Sequence, residues 1–235
     1  MHHDRAWLTG PHLGSKFGLG TRNGVEALLC SRIVSMSEKP GDPFPISRFG
    51  VPARQDLPDD LRGRIDEVAD KTGFVPNVFM ALARRPDELR AFFSYYDALM
   101  MREGGLSKAE KEMIVVATSA ANRCPYCVVS HGALLRIFSK NPLLGEQVAV
   151  LYEKADITDR QKAMLDAALT LAKTPYDFGE AEIEKLKAHG FDDDDIWDIG
   201  AITAFFAMSN RMAHLTDMRP NDDFYLMGRL PKAGS

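Results

Sequence analysis

Ser107 and Thr158 are each followed three positions later by a long polar side chain, Glu110 and Gln161, and then by residues at helical spacing. In such a pair the hydroxyl accepts from a first-turn N–H while the longer side chain reaches back to the hydroxyl residue's own N–H. Both therefore mark helix starts. They lie 51 residues apart, and at that offset Leu106 pairs with Ile157, Lys111 with Lys162, Met113 with Met164, Ala117 with Ala168 and Ala121 with Ala172. The match suggests an internal repeat, although two Ala-rich amphipathic helices also agree at several positions by chance. No alternating apolar and polar run argues for a strand, so the fold class is all-α.

The rest of the chain from Leu57 reads as helix after helix. Leu61, Ile65, Val68 and Ala69 define a helix over Asp59 to Thr72 that Gly73 stops. A short helix follows Pro76, and Pro86 opens another through Met101 with Leu89, Phe92, Phe93, Tyr96 and Leu99 as its buried side. A helix from Glu180 to His189 is closed by Gly190, and a long one runs from about Asp192 to Met218. The run Asp192 to Asp195 suits the positive end of that last helix as a cap and solvated start. Trp197, Ile199, Ile202, Phe205, Phe206 and Met208 give the same helix a nearly continuous apolar surface, for burial on several sides or against another subunit. Asn210 and Arg211 are expected to hydrogen-bond across a helix interface, and His214 to be a satisfied helix-end histidine.

Residues 1–40 have no useful apolar stripe and read as an extension, residues 41–229 as the helical domain, and residues 230–235 as a tail. Val25 to Val34 is short and only moderately apolar, a weak fit to a signal peptide, and Met36 is the alternative natural start. The net charge of -4, with no basic stripe, gives no reason to expect nucleic acid or a membrane surface. No apolar run reaches the roughly 18 residues of a spanning helix. Three cysteines are too few for a disulfide-stapled secreted scaffold, and Cys30 has no obvious partner. A reducing cytoplasm is the expected location.

Within it, Cys124-Pro125-Tyr126-Cys127 with His131 carries the chemistry. Pro125 suits the first helical position, which puts Cys124 at the cap and Cys127 in the first turn. At about 100° per residue, Cys124, Cys127 and His131 fall at roughly 0°, 300° and 340°, on one face. The helix N-terminus favours thiolate on both sulfurs. His131, four residues after Cys127, can take a thiol proton, and Glu112 on the preceding helix is its natural partner, since a carboxylate among Met113, Ile114, Val115 and Val116 needs one. A thiolate so generated can attack a peroxide to give a sulfenic acid, which the second cysteine condenses into a disulfide for an external dithiol to reduce. The helix-end argument favours Cys124 as the attacking sulfur, and the spacing to His131 favours Cys127.

Glu112, eleven residues, Cys124-Pro125-Tyr126-Cys127, three residues and His131 resemble the active-site pattern of the alkylhydroperoxidase D-like branch of the carboxymuconolactone decarboxylase superfamily. About Phe44 to Arg229, including Asn210-Arg211-Met212-Ala213, is similar to its peroxidase-related subgroup. The resemblance implies a helical fold with two similar halves, homo-oligomers such as trimers or hexamers, and reduction of hydroperoxides without a cofactor. It also implies that Cys127 is the nucleophile, Cys124 the resolving thiol and proton donor, and Glu112 with His131 the proton relay. The reductant it implies is a dithiol on a lipoylated or thioredoxin-like protein. The family's better-known members carry a histidine before the second cysteine, where this chain has Tyr126, a phenol that stays protonated near neutral pH and can donate to a bound peroxide.

Two other readings use the same residues. Cys124, Cys127, His131 and Glu112 can be taken as zinc ligands, although structural zinc sites usually pair two such clusters, and His189 and His214 lack ligand spacing. The chain can also be a non-catalytic helical oligomer or partner-binding protein that retains the motif.

Overall fold

The computed structural model describes residues 45–229 of the chain. The expectations for residues 1–40 and 230–235, including Cys30 and the Met36 start, lie outside them. Among the described residues there are ten α-helices and no strand: α1 Asp59–Thr72, α2 Asn77–Leu82, α3 Pro86–Tyr96, α4 Lys108–Ala121, α5 Pro125–Ser139, α6 Leu144–Leu151, α7 Asp159–Lys173, α8 Glu180–Ala188, α9 Asp193–Thr216 and α10 Asp223–Leu226. No helix among the described residues is long and apolar enough to cross a membrane.

The two capping boxes are in place. Glu110 N–H donates to Ser107 Oγ at 3.2 Å and Ser107 N–H to Glu110 Oε2 at 2.9 Å; in the second copy Gln161 N–H donates to Thr158 Oγ1 at 3.2 Å and Thr158 N–H to Gln161 Oε1 at 3.0 Å. Each satisfies two N–H groups that a helix start otherwise leaves unpaired, which stabilises it by about 1 kcal/mol. They direct α4 and α7 into the centre of the molecule, where the helices pack against each other and against α9.

α4 is the central helix. Every residue from Glu110 to Ser119 is buried, so this helix meets neighbours on all sides, with α5, α6, α7 and α9 against it. Its apolar side chains join Met164, Leu165 and Ala168 of α7 and Ile199, Ile202, Phe205 and Phe206 of α9 in the main core. Gly145 of α6 lies so close to α5 that a Cβ there would sit 2.8 Å from the Gly132 carbonyl oxygen. This crossing needs the missing side chain.

A second cluster, Leu57, Leu61, Ile65, Ala83, Leu89 and Phe93, binds α1 to α3. The helix expected from Pro86 through Met101 changes character at Asp97, where residues Asp97–Met101 widen into a π turn. Arg64 of α1 grips the start of that turn, with both guanidinium nitrogens 2.8 Å from the Asp97 carboxylate. The buried Lys111 donates to the carbonyls of Leu99 and Arg102 at 2.8 and 2.7 Å, and burial holds its ammonium below the usual lysine pKa. Those are carbonyls that the end of a helix leaves without partners.

The acidic start of α9 is the expected solvated cap at Asp192, Asp193 and Asp194, which are exposed, and departs from it at one residue. Asp192 caps the helix by accepting from the Asp195 N–H at 2.8 Å, but Asp195 itself is buried beside Arg160. Its carboxylate occupies the space over Gly105, where a Cβ would lie 2.1 Å from Oδ1. Trp197 departs in the opposite direction, since it is 72% exposed, and Met208 and Leu215 on the same helix are also exposed, at 44% and 54%.

Candidate active site

The cysteines sit where α4 ends and α5 begins. Cys124 N–H donates to Ser119 O and Arg123 N–H to Ala120 O, both at 2.9 Å, the crossed pair of bonds that closes a helix around a left-handed residue. That residue is Arg123, at φ 53°. Cys124 then turns back to extended geometry and caps α5, with Pro125 at the first helical position as expected. One tight turn thus ends the helix carrying Glu112 and starts the helix carrying both cysteines and His131.

The turn brings the expected relay pair together. His131 Nδ1 lies 2.7 Å from Glu112 Oε2, and the carboxylate is 1% exposed. With the carboxylate accepting at Nδ1, the Nε2 nitrogen is left as the basic one. The imidazole stands edge-on to the Phe206 ring, 4.7 Å between centroids. This ring from α9 walls one side of a side chain that keeps 12% exposure.

Both thiols are free and buried, Cys124 at 0% and Cys127 at 2% exposure. The Cys124 sulfur receives the Cys127 thiol, and the Cys127 backbone N–H points at it from 3.5 Å. These donors, led by the thiol and assisted by the charges of His214 and His131, prevail over burial and lower the Cys124 pKa to about 7. Cys127 is pushed well above the ordinary thiol value, first because its proton is held between the two sulfurs and then by burial. The sequence argument expected the helix end to favour thiolate on both sulfurs. Two sulfurs sharing one proton instead divide the effect.

A titration follows from this division. Ultraviolet thiolate absorbance, taken as the difference from a Cys124→Ser/Cys127→Ser protein to cancel Cys30, should show one thiolate with a midpoint of about 7. The second should appear only well above 9. A single step of two thiolates near the ordinary value would contradict the shared proton.

Tyr126 is buried, and its phenolic oxygen accepts from the Val78 N–H at 3.1 Å while its ring meets Phe224 edge-on at 6.4 Å. Burial raises its pKa and keeps the phenol protonated. Among the described residues no group of three or more His, Cys, Asp and Glu side chains has the arrangement to hold a metal ion.

Several residues join the site that were expected to serve only packing. The Asn210 side chain is 1% exposed; its Oδ1 accepts from Asn122 Nδ2 and its Nδ2 donates to Ser119 Oγ, both at 2.9 Å. Asn210 and Ser209 also work against the rise in the Cys127 pKa. His214 bonds the Asn122 carbonyl at 3.0 Å and contributes charge at Cys124. The sequence held one signal for this: Asn210 falls one turn after Phe206 on the apolar side of α9, where a polar group needs a partner. Arg211, by contrast, is exposed and donates to Ala207 O on its own helix.

A helical bundle whose central turn presents a buried dithiol beside a carboxylate-held imidazole defines a class of helical thiol proteins. Residues 86–174, which contain Glu112, both cysteines and His131, match the model of the carboxymuconolactone decarboxylase family. The structure is similar to an alkylhydroperoxidase AhpD core, an uncharacterized peroxidase-related protein from Ralstonia eutropha JMP134, at 64% identity and a TM-score of 0.79 over 80% of this chain and 100% of that one. It is also similar to an uncharacterized peroxidase-related protein from Silicibacter sp. TM1040, at 40% identity and a TM-score of 0.76 over 80% and 98% of the two chains. The debrominase Bmp8, 19% identical with a TM-score of 0.62 over 76% of this chain and 94% of its own, shares the fold. A comparison with curated proteins found no match. The chain belongs to the AhpD-like branch of the carboxymuconolactone decarboxylase family.

Proposed function

We propose that the protein is a thiol peroxidase that reduces organic hydroperoxides through Cys127 and Cys124. The observation that carries this reading is the 2.7 Å contact between His131 and Glu112 beside two free thiols, one of which has its pKa lowered to about 7. In the first step the Cys127 proton passes to Cys124, and the Cys127 thiolate attacks the terminal peroxide oxygen. The S–O bond forms, the O–O bond breaks with its electron pair on the alkoxide, and the alkoxide leaves as alcohol with a proton from the Cys124 and His131 side. Glu112 stabilises the imidazolium when His131 holds the proton. In the second step Cys124 attacks the Cys127 sulfenic sulfur, the S–S bond forms, the S–O bond breaks, and hydroxide departs as water with the second thiol proton, delivered by His131.

The sum is one hydroperoxide and two thiols converted to alcohol, water and a disulfide. An external dithiol, on a lipoylated or thioredoxin-like protein, then returns both cysteines to thiols. Tyr126 keeps its hydroxyl proton for a bound peroxide while its oxygen accepts from Val78. The exposed Trp197, Met208 and Leu215 of α9 support a homo-oligomer, a trimer or hexamer, built on helical faces.

The test is stoichiometric. Reduced protein treated anaerobically with one equivalent of tert-butyl hydroperoxide should yield one equivalent of alcohol and a protein lighter by two hydrogens. Unchanged peroxide with an unchanged thiol titre would end the peroxidase reading. Bound zinc in stoichiometric amount, with no titratable thiol, would favour the metal-site alternative.

A further inference from the structure

The turn between the two helices of the site carries a backbone cost. Its middle residue, Arg123, has φ 53°, a left-handed conformation that disfavours any residue with a Cβ. Glycine takes it freely, whereas another residue stays there only where the surroundings hold the backbone. The bonds from Cys124 N–H to Ser119 O and from Arg123 N–H to Ala120 O close the turn from within. The rest of the grip comes from α9.

Asn210 and His214 lie one turn apart on that helix and reach the same target. Asn210 Oδ1 accepts from Asn122 Nδ2, and Asn210 Nδ2 donates to Ser119 Oγ, both at 2.9 Å. His214 Nε2 lies 3.0 Å from the Asn122 carbonyl oxygen; a carbonyl only accepts, so this nitrogen is the donor. The end of α9 is itself tied down, because Thr216 O accepts from Arg48 N–H at 2.7 Å and Met218 N–H returns to Ala213 O at 2.9 Å. A fixed helix end therefore holds the backbone one residue ahead of Arg123 and two ahead of Cys124.

We propose that His214, acting with Asn210, is a positioning residue that holds the left-handed turn at Arg123 and so keeps the Cys124 sulfur in place to bond Cys127. The direction of that sulfur depends on the turn, because Cys124 is the cap between it and α5. A disulfide tolerates only a narrow range of Cα separation and sulfur direction, and its closure is favoured when the dithiol already has that arrangement. A released turn leaves the reduced state looser and the disulfide less favoured. The use of this role in turnover rests on the peroxidase reading, in which Cys124 attacks the Cys127 sulfenic sulfur. Its effect on the dithiol and disulfide equilibrium exists without any peroxide.

The experiment measures that equilibrium in mixtures of oxidised and reduced dithiothreitol, in a Cys30→Ser background. A pH of about 9 lies above the ordinary histidine range, so imidazole charge does not enter the comparison. Acid quenching, alkylation and intact mass give the fraction of protein with the Cys124–Cys127 disulfide. His214→Ala should lower the equilibrium constant for the disulfide about ten-fold, a potential less negative by ~30 mV. His214→Leu, which fills the space without a donor, should behave in the same way. His214→Gln, whose amide brings an N–H to the carbonyl at similar reach, should restore most of the loss. Asn210→Ala, which releases Asn122 and Ser119 together, should lower the constant at least as far.

His214 is exposed, so its variants should fold, and circular dichroism with thermal transitions identifies any that do not. If His214→Ala is among those, the comparison of His214→Leu with His214→Gln decides. A constant unmoved in the folded donor-free variants would overturn the proposal, and so would a His214→Gln protein no better than they are. A shifted constant in a protein that yields no alcohol from tert-butyl hydroperoxide would sink the peroxidase reading and leave this role standing.

Discussion

A Cys127→Ser protein is expected to leave an alkyl hydroperoxide intact in a single turnover, a loss of at least about 10³-fold in the first oxidation. A serine hydroxyl at this position has no accessible anion near neutral pH, and the Glu112 and His131 pair cannot supply one. The Cys124→Ser protein is expected to behave differently. It should consume one equivalent of peroxide and stop at a sulfenic acid on Cys127, heavier by one oxygen, because the sulfur that would condense with it is gone. Intact-mass measurement after quenching, with a sulfenic acid trap, separates the two.

The contrast matters because resting charge and attack are assigned to different sulfurs. Cys124 has its pKa lowered to about 7, which by itself would recommend it as the nucleophile. It is also the more enclosed sulfur, at 0% exposure, and it sits at the turn rather than one step along the helix toward His131. A Cys124→Ser protein that is inert, together with a Cys127→Ser protein that accumulates sulfenic acid, would reverse the assignment. The low pKa would then be the nucleophile's own.

Much of the fold could be read from positions whose chemistry is local. Ser107 with Glu110 and Thr158 with Gln161 satisfy their own helix starts, and Pro125 needs only the residue before it, so these were legible without tertiary knowledge. The pairing of Glu112 with His131 was also legible, because a carboxylate in an apolar helix has few affordable partners. What escaped depended on packing between distant segments. Asp195 looked like a solvated cap because nothing nearby in sequence reveals that Gly105 leaves room for its carboxylate. The π turn at Asp97–Met101 is held by Arg64 and Lys111 from other helices, partners that local sequence does not reveal. The division of charge between the two sulfurs required their mutual hydrogen bond, which spacing alone does not give.

Phe206 joins stability to chemistry more directly than any other core residue of the site. Its ring is 1% exposed and meets two neighbours edge-on, His131 at 4.7 Å and Phe205 at 5.2 Å between centroids. Phe206→Ala should lower the stability by about 3–5 kcal/mol, through lost burial and the cavity left in a centre that α4 and α9 cannot close. Urea unfolding should show an earlier midpoint with an unchanged slope. The same deletion removes the wall that holds the imidazole against Glu112. Phe206→Leu separates the two roles: it refills most of the volume, so stability should fall by no more than about 1.5 kcal/mol, while the first oxidation still slows by about ten-fold because the imidazole is less well oriented. A Phe206→Leu protein with wild-type single-turnover rate would show that Glu112 alone orients His131, and the ring would then be a core residue only.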